Sequence, residues 1–88
     1  MGSVVFNELL VAQIRKQVYA VIGREILDIN SLLKDEGLDS VKTIELITNL
    51  ETEFDFMLND EDLLVDNFAT ISLIYNIMTE KYGVTAHE

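Results

Sequence analysis

The sequence predicts an all-α protein, an antiparallel four-helix bundle of three longer helices and one short helix joined by short connections. Three observations carry that expectation. Apolar residues recur three and four positions apart along most of the chain. Strand-like alternation is scarce. A composition of 49% apolar residues with no proline and four glycines suits packed helices better than a disordered tail or a turn-rich β-sandwich.

The first helix is expected from about Asn7 to Ile26, with Asn7 as its cap and Val11, Ile14, Val18, Val21 and Ile22 as its inward stripe. Gly23 costs a helix interior about 1 kcal/mol relative to alanine, so it offers an earlier stop. Arg15, Lys16 and Arg24 are expected to face water or the acidic elements. Leu27 to Leu38 reads as a connector with one helical turn, tethered to the core by Ile29, Leu32 and Leu33. The second helix follows Ser40 and stops near Asp55, with Val41, Ile44, Ile47, Leu50 and Phe54 read as its apolar face.

Asn59-Asp60-Glu61-Asp62 then reads as a cap with acids in the first turn, opening a short third helix through Leu63, Leu64 and Val65. Phe68 is expected to plug the core before Thr70 caps the last helix. That helix has Ile71, Ile74, Ile77 and Met78 on its apolar face and Gly83 as its stop. Phe54, Phe56, Met57 and Phe68 are read as core. Tyr19, Tyr75 and Tyr82 are read as packing residues with a polar tip at the surface.

The 88 residues make one domain, with 1–6 expected to be disordered or left over from an expression vector and 84–88 to form a tail. A domain this small buries only about 60% of the surface its unfolded chain exposes, so its core must be simple. No apolar run approaches the roughly 20 residues of a membrane span, and no signal peptide is evident. These features predict a cytoplasmic protein.

Several chemistries are excluded by what the sequence lacks. Without cysteine there are no disulfides, no Cys-based zinc site and no protein thiol to form a thioester. The single histidine, His87, lies at the tail, a poor place to hold a general base near Ser40. The chain is therefore not expected to be an enzyme. Asp60-Glu61-Asp62 runs into Leu63-Leu64-Val65 and lacks the alternating ligands and glycine of a calcium loop, so no metal site is expected.

Net charge is −10, and its placement is uneven. Between Asp35 and Asp66 eleven acids meet the single base Lys42, whereas acids and bases balance over the remainder. Such a patch speeds encounter with basic partners and disfavours close self-association, which points to a monomer. It also opposes nucleic acid, whose phosphates need the reverse sign.

The most informative stretch is Gly37-Leu38-Asp39-Ser40-Val41, where a hydroxyl stands at the entry to an amphipathic helix. Ser40 reads as the N-cap of that helix. A helix N-terminus offers unpaired N–H groups and the positive end of the helix dipole, so it tolerates an added anion.

On these residues the chain resembles the acyl carrier protein family, whose Gly-x-Asp-Ser-Leu motif runs into a helix ending Leu-Glu-x-Glu-Phe. Gly37, Asp39, Ser40, Thr43, Glu45, Leu46, Leu50, Glu51, Glu53, Phe54 and Asp55 fall on that pattern. The resemblance implies that Ser40 carries a covalent 4′-phosphopantetheine arm, with Gly37 and Asp39 completing the motif. A separate phosphopantetheinyl transferase would attach the arm from coenzyme A with magnesium, and the arm's thiol would carry an acyl group as a thioester. Partners implied are acyl- or aminoacyl-activating and acyl-transferring enzymes with basic docking surfaces. Val41, Lys42, Glu45, Thr48 and Glu51 would form the docking edge. In some members apolar residues of the bundle also wall a cleft that hides the acyl chain.

Lys42 stands where fatty-acid carriers often have an acid, Glu36 where an apolar residue often precedes the glycine, and the connector looks shortened. These departures point to a stand-alone specialised carrier, of secondary metabolism or of an unusual acyl group. An aminoacyl or peptidyl carrier, or an unmodified acidic interaction module, are the alternatives. If Ser40 is the cap, Ser40→Ala loses about 1 kcal/mol while keeping the fold.

Overall fold

The computed structural model describes residues 7–86; the expectations for 1–6 and for His87 lie outside it. Helix α1 (Glu8–Ile22) opens on Asn7, whose Oδ1 accepts the Leu10 N–H at 3.1 Å. Leu10, Val11, Ile14, Val18 and Val21 are buried at three- and four-residue spacing. The helix stops four residues before Ile26. Gly23 adopts φ +85° there and its N–H reaches back to Tyr19 O at 2.7 Å, closing the last turn as a left-handed glycine does. Ile22 is half-buried, while Ile26 leaves the helix and is still buried in the core.

The connector contains one 3₁₀ turn, Leu33–Glu36. Leu33 and Leu38 are buried, and Ile29 packs partly against the core. Leu32, expected as a tether, is 45% exposed. Backbone bonds do that work instead. Leu33 N–H donates to Ala69 O at 2.8 Å, and Ser72 N–H donates to Ile29 O at 2.9 Å. Arg15 donates to Leu27 O at 2.6 Å and Arg24 pairs with Glu36 at 3.3 Å, so one basic residue of α1 and one just past its end serve this connector.

Helix α2 (Ser40–Phe54) ends at Asp55 in the left-handed region, φ +54°, with its N–H on Glu51 O. The buried residues are Thr43, Leu46, Leu50 and Phe54. This corrects the face read from the sequence: Val41 and Ile44 are 74% and 66% exposed. Threonine looks polar in a periodicity count, but the Thr43 hydroxyl donates to Asp39 O at 2.8 Å. With its polar group satisfied, Thr43 turns inward and rotates the buried stripe away from Val41 and Ile44.

The expected short third helix is replaced by two 3₁₀ turns, Asp60–Asp62 and Val65–Phe68. Asn59 makes no side-chain cap bond, and Leu63 and Leu64 have ψ of 56° and 136°, outside the helical range. Short helices depend on burying an apolar face. Leu63, Leu64 and Val65 are 43%, 57% and 61% exposed, so no such face exists.

Helix α3 (Ile71–Asn76) is capped by Thr70, whose Oγ1 accepts the Leu73 N–H at 3.0 Å. It continues as a π-helical turn over Ile77–Lys81. The Thr79 hydroxyl donates to Tyr75 O at 2.9 Å, and side-chain hydroxyls competing for such carbonyls are a usual cause of irregular helix ladders. Gly83, φ +63°, and Val84 return bonds to Thr79 O and Met78 O and end the element.

Phe68, Ile71, Ile74 and Met78 join Leu10, Ile14, Val18, Leu33, Leu46 and Leu50 in one core, each less than 2% exposed. Met57, expected inside, is 79% exposed. Phe56 is half-buried against Tyr82, ring centroids 5.5 Å apart. Among the described residues there is no strand, and no helix is long and apolar enough to cross a membrane.

Candidate functional site

The entry to α2 is built by two residues with divided duties. Gly37, at φ +111°, turns the chain out of the 3₁₀ segment, a conformation that a side chain would strain. Asp39 is then extended, and its Oδ1 accepts the Lys42 N–H at 2.8 Å. Its carbonyl accepts both the amide and the hydroxyl of Thr43, each at 2.8 Å. Asp39 is therefore the N-cap, and Ser40 is the first helical residue. This corrects the assignment of the cap to Ser40. The serine hydroxyl has no capping bond to lose, and the residue is exposed.

Two concavities meet at this serine. The larger, about 430 Å³, runs between α2 and the segment after Asp62, and is lined by Ser40, Thr43, Ile44, Ile47, Thr48, Glu51 and Leu63 to Val65. The smaller, about 210 Å³, lies on the connector side against Leu32, Leu38, Phe68 and Ala69. Ser40, Thr43 and Val65 line both. A group esterified to Ser40 would thus leave from the mouth of an apolar groove whose walls are Ile44 and Ile47 on one side and Leu63, Leu64 and Val65 on the other.

The residues expected to form the docking edge do not share one environment. Val41, Glu45 and Thr48 are exposed along one edge of α2, with the Thr48 hydroxyl turned back to Ile44 O at 3.1 Å. Lys42 points elsewhere: its Nζ donates to Val21 O at 3.3 Å. The last turn of α1 contains no basic residue of its own, so Lys42 supplies the cation that its carbonyl end favours. Glu51 is half-buried and its Oε2 accepts the Leu58 N–H at 2.8 Å, holding the loop that leaves α2. Among the described residues no cluster of His, Cys, Asp or Glu could hold a metal ion.

Sequence reasoning missed Leu63, Leu64 and Val65 as groove residues because it assigned them to a helix. Three consecutive apolar residues after an acidic run, without helical continuation, were the available signal. It also missed Asp62, a buried carboxylate whose partners lie 19 and 20 residues away.

The family model described as "Phosphopantetheine attachment site" matches residues 10–77. The chain is 32% identical over 77 residues to an acyl carrier protein of Chlorobium phaeobacteroides, covering 80% of this chain and 96% of that protein. It is 40% identical over 58 residues to an acyl carrier protein of Chlorobium luteolum, covering 58% of this chain and 74% of that one. No solved structure matches at comparable significance.

Proposed function

Given that the chain belongs to the acyl carrier protein family, with 4′-phosphopantetheine as its prosthetic group, we propose that Ser40 carries the arm and that the protein delivers an acyl cargo between enzymes. One observation supports this above the others. Ser40 is an exposed hydroxyl at the first position of α2 whose capping duty has been taken by Asp39. Esterifying it removes no hydrogen bond from the helix. The N-terminal dipole also favours an added phosphodiester by about 0.3–1 kcal/mol at an exposed site.

When bound, the arm supplies a terminal thiol that holds the cargo as a thioester, chemistry this cysteine-free chain lacks. The chain's own residues supply position. Gly37 and Asp39 present the hydroxyl, and Ile44, Ile47 and Leu63 to Val65 offer an apolar lining beside it that fits an acyl chain. Val41 and Glu45 present an apolar and an acidic contact to basic partner enzymes. Asp60–Asp62 and Val65–Phe68 are 3₁₀ turns at the point in the chain where the family's short helix is expected, and we propose that they serve in its stead.

The test is intact-mass measurement after incubation with coenzyme A, magnesium and a promiscuous phosphopantetheinyl transferase. Addition of one arm to the natural chain and none to Ser40→Ala is expected. An unchanged mass of the natural chain would favour an unmodified interaction module.

A further inference from the structure

Among the described residues Asp62 is the only buried ionisable side chain, 7% exposed. Burying a carboxylate is costly unless it is paired and hydrogen-bonded. Here Lys81 Nζ donates to Oδ1 at 2.8 Å and the Tyr82 hydroxyl donates to Oδ2. The same Tyr82 oxygen accepts the Asn59 N–H at 2.9 Å, and the Asp62 carbonyl accepts from Asn67 Nδ2 at 2.9 Å. Asp62 therefore ties both 3₁₀ turns to the end of the π turn. That turn holds i→i+5 rather than i→i+4 bonds, so it re-aims the residues that follow, Lys81 and Tyr82 among them.

Between the tied points lie Leu63, Leu64 and Val65, one wall of the groove beside Ser40. Their own bonds are local: Leu63 N–H to Asp60 O at 3.1 Å and Asn67 N–H to Leu64 O at 2.9 Å. At 43–61% exposure they bury too little to anchor themselves. The segment is pinned by buried Leu58 and Phe68 at its ends and by Asp62 between them.

We infer that Asp62, Lys81 and Tyr82 form a positioning latch that sets the groove wall Leu63 to Val65 against α2. The position of that wall then governs how much apolar chain the groove admits. This consequence rests on the carrier reading; the latch itself does not.

Amide hydrogen exchange of the unmodified full chain tests the latch. Asp62→Asn, Lys81→Met and Tyr82→Phe, the last keeping the ring against Phe56, are each expected to speed exchange at Leu63 and Asn67 roughly tenfold relative to Ile14 and Val18. Lys81→Arg keeps the cation and should retain most of the natural protection. The groups around Asp62 are Lys81 and Tyr82 at the end of the π turn, Glu61 on the same ammonium at 3.4 Å, and the neutral Asn59 and Asn67. Lowering the pH should release the wall in the natural chain and change nothing further in Asp62→Asn. Unaltered ratios in the three variants, an equal increase at every amide, or the same acid release in Asp62→Asn would each overturn the latch. No step uses the arm, so a chain that is never loaded can still show the latch, and a loaded chain can still lack it.

Discussion

Helices α2 and α3 begin in the same way and serve opposite ends. Each has an extended cap residue whose side-chain oxygen accepts the amide three residues on, at 2.8 Å from Asp39 and 3.0 Å from Thr70. At the next position they diverge. Ile71 is fully buried, whereas Ser40 is exposed at the junction of two concavities. A capped N-terminus is therefore no site in itself. What distinguishes α2 is a hydroxyl that capping leaves spare, standing where solvent and a groove both reach it.

Substitutions at matched positions sharpen this contrast. The largest effect is expected at Ile71→Ala, which opens a cavity in the core and should cost about 2–5 kcal/mol in urea unfolding. Within α2, Leu46→Ala should fall in the same range of about 2–5 kcal/mol. Ile44→Ala, two residues earlier and exposed, should stay within about 0.5 kcal/mol. An Ile44→Ala cost equal to that of Leu46→Ala would return the helix to the face read from periodicity alone.

Next come the caps. Asp39→Ala should lose about 1 kcal/mol, within a range of roughly 0.5–2, as should Thr70→Ala. Like Ile44→Ala, Ser40→Ala is expected within about 0.5 kcal/mol of the natural chain, because alanine is at least as good a helix residue and no cap bond is lost. A Ser40→Ala loss matching that of Asp39→Ala would restore the serine to the capping role.

Acid acts on a third region. Hydrogen bonds from Lys81 and then Tyr82 hold the Asp62 carboxyl below its ordinary value of 3.8. A carboxylate depressed by folding contributes its full stabilisation above the ordinary range and loses it as pH falls through the lowered value. Urea midpoints measured from pH 7 to pH 2 should therefore drop less steeply at the acid end in Asp62→Asn than in the natural chain. Equal acid slopes would leave Asp62 without that role.

How far the sequence revealed these features depended on the distance over which each is written. The start of α2, the stop at Gly83, the Thr70 cap and the buried Phe68 follow from neighbouring residues and were legible, while Gly23 was only the alternative to a first helix reaching Ile26. The buried face of α2 was not, because one threonine hydroxyl satisfied by Asp39 O moved the stripe. Nor was the division of labour between Asp39 and Ser40, since either residue type caps well. The grip of Lys42 on Val21 and of Asp62 on Lys81 and Tyr82 joins residues about 20 apart and leaves no local pattern. The stretch after Asn59 carried helix-like signals, and only its exposure explains why it broke into two turns.

On the proposed reading, position rather than the mere presence of a hydroxyl selects Ser40 over Ser31, Thr43, Thr48, Thr70 and Ser72. Peptide-level mass mapping of the chain after treatment with coenzyme A and transferase tests this most directly. The arm is expected on the peptide containing Ser40, at that residue alone. An arm on any other hydroxyl, or spread over several, would contradict it.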